Sequence, residues 1–270
     1  MKSQKTDYQS IFEGVERTLF EVGSQYLPVK KIKNNLEWYQ NLEGKILSDD
    51  EYYWILVYVI FYAGFRASTV TKRLDSIRDY FSNYEMVANY GDEEVSEILS
   101  DPEMIRNLRK INACIKNAKV FMEIVNVYGS FYKYIESFSP KISFENLMLF
   151  KESMEYQFSG LGSITTYHYL MDIGLPVLKP DRVICRIFNR LALIKSKEQL
   201  LSAVIQGRKF AHTTNQPIRY IDIVFVAYGQ MKSEEFGIKK GICLETNPSC
   251  SVCGVIDYFN YSDKTVIKNS

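Results

Sequence analysis

At 270 residues, with 46% hydrophobic and 24% charged content, the chain can bury one large core or two subdomains sharing a seam. No run approaches the roughly 20 apolar residues of a membrane span, and the N-terminal MKSQKTDYQSIFEG lacks the apolar stretch of a secretory signal, so the expectation is a cytoplasmic protein with no membrane partner. A net charge of +1 confines any attraction for a polyanion to local basic patches, and five cysteines, three of them crowded near the C-terminus, exclude a secreted disulfide framework.

Apolar residues recur at helical spacing over residues 8–26, 52–62, 67–81, 92–99, 104–125, 131–138 and 144–158. The pattern resumes over 164–173, 182–193, 197–206 and 217–228, and no segment alternates with period two for long. Ser48-Asp49-Asp50-Glu51, Asp101-Pro102-Glu103 and Asn215-Gln216-Pro217 read as helix starts, and Gly64, Gly129, Gly160, Gly174 and Gly207 read as breaks. About ten short helices with short connections predict an all-α fold. The 20 Tyr and 16 Phe belong mostly to its core, as do Cys114 and Cys185, which sit within apolar helices.

Between residues 144–158 and 164–173 the sequence SGLGS leaves room only for a tight turn, which makes a helix-hairpin-helix. Gly160 and Gly162 let the backbone turn sharply, so that successive N–H groups at the start of the second helix, with Ser163, form a nest suited to a phosphate. A bare G-x-G is equally what two antiparallel helices need to reverse direction. After the second helix come Gly174-Leu175-Pro176, a short extended VLKP, and Asp181 at the head of the apolar helix RVICRIFNRLALI. Taken alone, Asp181 is an N-cap whose carboxylate accepts the first free N–H groups.

The hairpin, the Leu-Pro break and the following aspartate together resemble the helix-hairpin-helix DNA glycosylase superfamily, in which an aspartate at this place is catalytic. Upstream, Ala63-Gly64, Lys72-Arg73, Ile105-Arg106-Asn107, Arg109-Lys110-Ile111 and Gly129-Ser130-Phe131 are similar to 3-methyladenine DNA glycosylase I. Downstream, YIDIVFVAYGQ and CLETNPSCSVC resemble endonuclease-III-like members, so the likeness spans roughly residues 50 to 255. Two positions depart from the first pattern: Val59 and Ala67 stand where it carries a glutamate and a tryptophan, so its base contacts do not transfer. Bifunctional members carry a lysine at the place of Ile164, and isoleucine cannot form a Schiff base.

The resemblance implies two helical subdomains, residues 51–177 ending in the hairpin and residues 1–50 with 178–270, flanking a DNA groove. It implies a monofunctional DNA glycosylase of base excision repair, acting as a monomer on double-stranded DNA containing a damaged base, and nucleoid-associated if bacterial. Asp181 is then the catalytic carboxylate, and no cofactor is needed for catalysis. Gly160, Gly162 and Ser163 grip a phosphate; Arg66 and Lys72, with Arg73, contact the strand or form a solvated basic face. Tyr62, Ile164 and His168 line the base pocket, and electron-rich rings there favour a cationic base such as 3-methyladenine. Lys179 is a phosphate or solvent contact. The alternative is a non-catalytic helix-hairpin-helix DNA-binding protein in which Asp181 only caps.

Cys243, Cys250 and Cys253 have the spacing of the first three ligands of the endonuclease-III-like iron–sulfur loop, but Phe259 stands where the fourth would be. Three readings remain: a relic loop of free thiols, an iron–sulfur cluster or zinc with an unusual fourth ligand for which Asp257 is nearest, and an adventitious pair.

Overall fold

The computed structural model describes residues 6–259. Their helices, in chain order, are α1 (Tyr8–Gly23), α2 (Val29–Gln40), α3 (Asp49–Tyr62), α4 (Ala67–Thr71), α5 (Leu74–Phe81), α6 (Tyr84–Ala88) and α7 (Asp92–Ser100). They continue as α8 (Leu108–Tyr128), α9 (Phe131–Ser137), α10 (Phe144–Gln157), α11 (Thr165–Asp172), α12 (Arg182–Arg190), α13 (Leu200–Thr214) and α14 (Ile218–Gly229). Among the described residues the β-pairing is a single antiparallel bridge, Ser233 with Ile238, so the fold is all-α.

The chain divides into two compact units, one made of residues up to Glu43 with those from Pro176 onward, the other of Gly44–Leu175. The first boundary falls ahead of the sequence-based 50/51 because the segment before α3 is tied to the helix it caps. Ser48 Oγ accepts from Glu51 N, Glu51 Oε2 accepts from Ser48 N at 2.7 Å, and Leu47 N donates to the Tyr52 hydroxyl. Pro176 belongs to the other unit, where its carbonyl accepts from Arg208 Nη1 at 2.9 Å.

In the unit 44–175 the organising element is α3. Tyr52, Tyr53, Ile55, Leu56, Val57, Val59, Ile60 and Phe61 are all buried, so past its acidic first turn the helix must be covered on all but the half-buried stripe of Trp54, Tyr58 and Tyr62. α4, α5, α6, α8, α9 and α11 pack around it. Phe121 and Phe131 stack at 4.2 Å beside Tyr53, whose hydroxyl donates to the Cys114 carbonyl at 3.0 Å. In the other unit α14 plays the same part, buried from Ile218 through Gly229 apart from Arg219 and Val226, with α1, α2, α12 and α13 against it. Phe188, Phe210 and Phe225 lie within 5.6 Å of one another there. Cys114 and Cys185 are buried core, and burial pushes the Cys185 thiol up to about 11.

Several local signals resolve differently in three dimensions. Asp101 ends α7, and α8 starts at Leu108 behind the Asn107 cap, whose side chain accepts from Lys110 N. Asn215 is the left-handed C-cap of α13 rather than the start of α14. The residues 67–81 form two helices, α4 and α5, and the spacing passes over α2 and α6. Gly207 does not break a helix: α13 runs through it because Leu178 packs into the space, and a Cβ there would lie 2.0 Å from Leu178 Cδ2. Leu178 is itself fully buried and cannot move aside, so Gly207→Ala is expected to destabilise this unit by about 1–3 kcal/mol. Urea unfolding followed by circular dichroism measures it.

Candidate functional site

The hairpin leaves α10 at Gln157, turns through residues 158–164 and enters α11 at Thr165. Gly160 has φ +87°, and a Cβ there would also press on Ile60 at 3.3 Å, so the turn requires glycine at that position. Gly162 differs from the expectation: its φ is not positive, a Cβ would meet nothing closer than Thr165 Oγ1 at 3.8 Å, and its amide donates to that hydroxyl at 2.6 Å. The N–H groups of Ser163, Ile164 and Thr165 have no acceptor among the described residues, and Gly160 and Ser163 are exposed. Asn117, fully buried on α8, clamps the turn from behind by accepting from Ser159 N at 2.7 Å and donating to Ser159 O at 2.8 Å. A carboxamide at an interior position of an apolar helix is the sequence signal that marks it.

Asp181 lies in the other unit. Its backbone is extended, and it caps α12 with a single oxygen: Oδ1 accepts from Val183 N at 2.8 Å and from Ile184 N at 3.0 Å. Oδ2 has no hydrogen-bond partner among the described residues, and the side chain is half-buried. The cap is thus made by one carboxylate oxygen alone. The approach is fixed by Leu178 against Gly207 and by a group the sequence reading passed over. Buried Asp222 on α14 accepts from Lys179 N at 3.1 Å through Oδ1 and from Arg219 Nη1 at 3.0 Å through Oδ2. An aspartate in the otherwise apolar YIDIVFVAYG is its only sequence mark.

Around α3 and α11 the structure brings Tyr62 and His168 together, with ring centroids 6.5 Å apart and Tyr58 in contact with both. Trp54 continues the aromatic row at 5.8 Å from Tyr58. Asp172 lies behind it, where Oδ2 accepts from the Tyr58 hydroxyl at 2.9 Å and lies 3.2 Å from His168 Nε2. Ile164 is the residue before α11, and His168 N donates to its carbonyl at 3.1 Å, one turn along the helix. Arg66 and Lys72 flank the short α4 as its end residues and are exposed; the Tyr62 hydroxyl is hydrogen-bonded to Thr71 Oγ1 of the same helix at 2.9 Å.

The sequence model of the methyladenine glycosylase family matches residues 29–160, from the start of α2 into the hairpin turn. Among solved structures the chain is similar to the 8-oxoguanine DNA glycosylase of Methanocaldococcus jannaschii, at 18% identity and a TM-score of 0.55 over 80% of this chain and 92% of that one. The 8-oxoguanine DNA glycosylase of Thermotoga maritima matches at 16% and 0.51, over 80% and 96%. An endonuclease III trapped in a covalent complex with DNA matches at 12% and 0.55, over 88% and 96%. The fold is that of the helix-hairpin-helix DNA glycosylases. Asp181 lies beyond the stretch that the family match covers, and at these identities the structural likeness is one of fold.

Hydrogen bonds from α12 and Tyr228 reach the cysteine loop. Among the described residues no three or more His, Cys, Asp or Glu side chains are grouped so as to hold a metal ion. Cys243 Sγ accepts from Arg190 Nη1 at 3.1 Å, and Cys253 Sγ accepts from the Tyr228 hydroxyl at 3.1 Å. Phe259 is buried. Arg186, itself buried, donates to the carbonyls of Gly229 and Cys243, and Arg190 donates to that of Leu244 at 2.8 Å.

Burial pushes the Asp222 carboxyl up to about 7 against the pull of Arg219, and the charge of Asp181 adds to the rise. The folded state thus binds this proton more tightly than the unfolded state, so the stability the proton confers is lost as pH climbs from about 4 to about 7. Relative to Asp222→Asn, the natural protein is expected to be more stable at pH 5 than at pH 8 by on the order of 2 kcal/mol. Urea midpoints of both proteins at the two pH values test it.

Proposed function

We propose that this chain is a monofunctional DNA glycosylase that extrudes a damaged nucleotide from duplex DNA and hydrolyses its N-glycosidic bond, acting as a cytoplasmic monomer. The observation that carries the reading is the divided carboxylate of Asp181: one oxygen is spent on two helix N–H groups and the other is left for chemistry, on a backbone pinned at Lys179. The glycosylase fold and the methyladenine glycosylase match support the DNA and the reaction class.

A base within the stack is out of reach, so the nucleotide is extruded at a cost of a few kcal/mol, least for damaged or mispaired bases. As the glycosidic bond breaks, its electron pair leaves with the base and positive charge develops on the sugar. The free Asp181 oxygen stabilises that charge; water adds to the anomeric carbon, and the carboxylate takes its proton. The hairpin amides of Ser163, Ile164 and Thr165, with the turn set by Gly160, grip a backbone phosphate. Arg66 and Lys72 contact the strand. Tyr62, Ile164 and His168 line the base pocket, and the row of rings from Trp54 to Tyr62 favours a cationic alkylated purine such as 3-methyladenine. Ile164 offers no amine, so the reaction stops at the abasic site.

A second reading, a DNA-binding protein without chemistry, is favoured by the two capping bonds alone. The readings part on Asp181→Asn, whose amide oxygen keeps both caps. On the catalytic reading this variant folds and binds DNA, while single-turnover release of 3-methyladenine or 7-methylguanine falls by about two to four orders of magnitude. Asp181→Ala should lose about 1 kcal/mol of stability besides. Release at the natural rate from Asp181→Asn removes the residue from the mechanism.

A further inference from the structure

Beside the hairpin turn, and apart from the Ser163–Thr165 amides and the aromatic row, the unit 44–175 carries a basic cavity. A cavity of about 740 Å³ opens between the C-terminal end of α3, the first turns of α8 and the hairpin turn at Ser159 and Gly160. Its walls carry Arg109, Lys110 and Lys116 with the carboxamides of Asn107 and Asn112, and none of its lining residues is acidic.

The charges are placed against the local rules. Arg109 and Lys110 stand in the first turn of α8, where the helix dipole already presents positive potential, and that turn holds no acidic residue to offset them. Lys110 is half-buried and spends two of its three N–H groups on the last carbonyls of α3, donating to Ile60 O and to Ala63 O. Burial holds its ammonium below the usual lysine range, and neighbouring Arg109 pushes the same way. Arg109 and Lys116 are exposed and have no ion-pair partner among the described residues. Lys110 is thus met by the carbonyls that end α3, while Arg109 and Lys116 bring two cations with no ion-pair partner among the described residues to the same cavity, a conflict that an anion would resolve.

We propose that this cavity is a second phosphate site, separate from the hairpin amides, that takes a backbone phosphodiester of the DNA strand between Arg109, Lys110 and Lys116. The inference rests on the proposed DNA reading. A bare phosphate would fill a small part of a 740 Å³ space, whereas a phosphodiester with its flanking sugars suits it, and Asn107 and Asn112 supply donors and acceptors for sugar oxygens. Such a contact carries no sequence information and adds to the salt dependence of binding.

The test is equilibrium binding of an undamaged duplex across a salt series. The double variant Arg109→Ala with Lys116→Ala is expected to lower the slope of log K against log salt by about one and to weaken undamaged and alkylated duplexes equally. Lys110 is left in place because it ties the end of α3. Lys119→Ala, on the same helix outside the cavity, should leave the slope unchanged. An unaltered slope in the double variant, while the natural protein binds with clear salt dependence, overturns the site and leaves the DNA reading standing. A natural protein with no salt-dependent affinity overturns both. Calorimetric titration with inorganic phosphate separates the remaining source: tight binding of the free anion with no change in the DNA slope would make the cavity a free-phosphate site and overturn the proposal.

Discussion

Each unit is built on one helix that is apolar around most of its circumference. For α3 and α14 the cost of leaving that apolar surface exposed forces neighbours onto most of it, and on α3 only the stripe Trp54, Tyr58 and Tyr62 stays half-buried. That requirement decides where the chemistry-bearing segments lie. α11, which leads out of the hairpin, is one of the helices covering α3, and the end of α3 supplies the carbonyls that hold Lys110. α12, headed by Asp181, covers α14. The glycosylase fold is in this sense the covering of two buried rods: the hairpin and Asp181 are carried on or beside the covers, and the row Trp54, Tyr58 and Tyr62 lies along α3 itself.

Buried polar groups then fasten loops to those rods. Asn117 holds the hairpin turn through both atoms of its carboxamide, and Asp222 holds the approach to Asp181 through one oxygen while Arg219 answers the other. Taking such groups out of water costs free energy unless every bond is made, which is why each is matched to a backbone partner with a fixed position. The result is a loop whose conformation is set by a core residue rather than by its own sequence. For Asp222 the same burial makes the fastening sensitive to pH, since a carboxyl pushed toward neutrality changes charge near physiological conditions.

The cysteine loop is fastened in a further way: two arginines one turn apart on α12 reach its carbonyls and one sulfur, and the Tyr228 hydroxyl meets another. The planar guanidinium suits this role because it offers several donors in fixed directions.

The all-α class, the hairpin and the position of Asp181 at a helix start were legible because they depend on local chemistry: helical spacing, a glycine at a positive φ, and a carboxylate within reach of the next N–H groups. Local signals failed where a distant residue decides. Gly207 reads as a break in sequence and is helical because Leu178 needs its space; Gly162 reads as a turn glycine and is free of strain because Gly160 alone makes the turn. Asn117, Asp222 and Arg186 had no motif to announce them. Their roles come from partners 42, 43 or 57 positions away, joined only when the chain packs, and periodicity along a sequence carries no information about which buried group will meet which backbone atom.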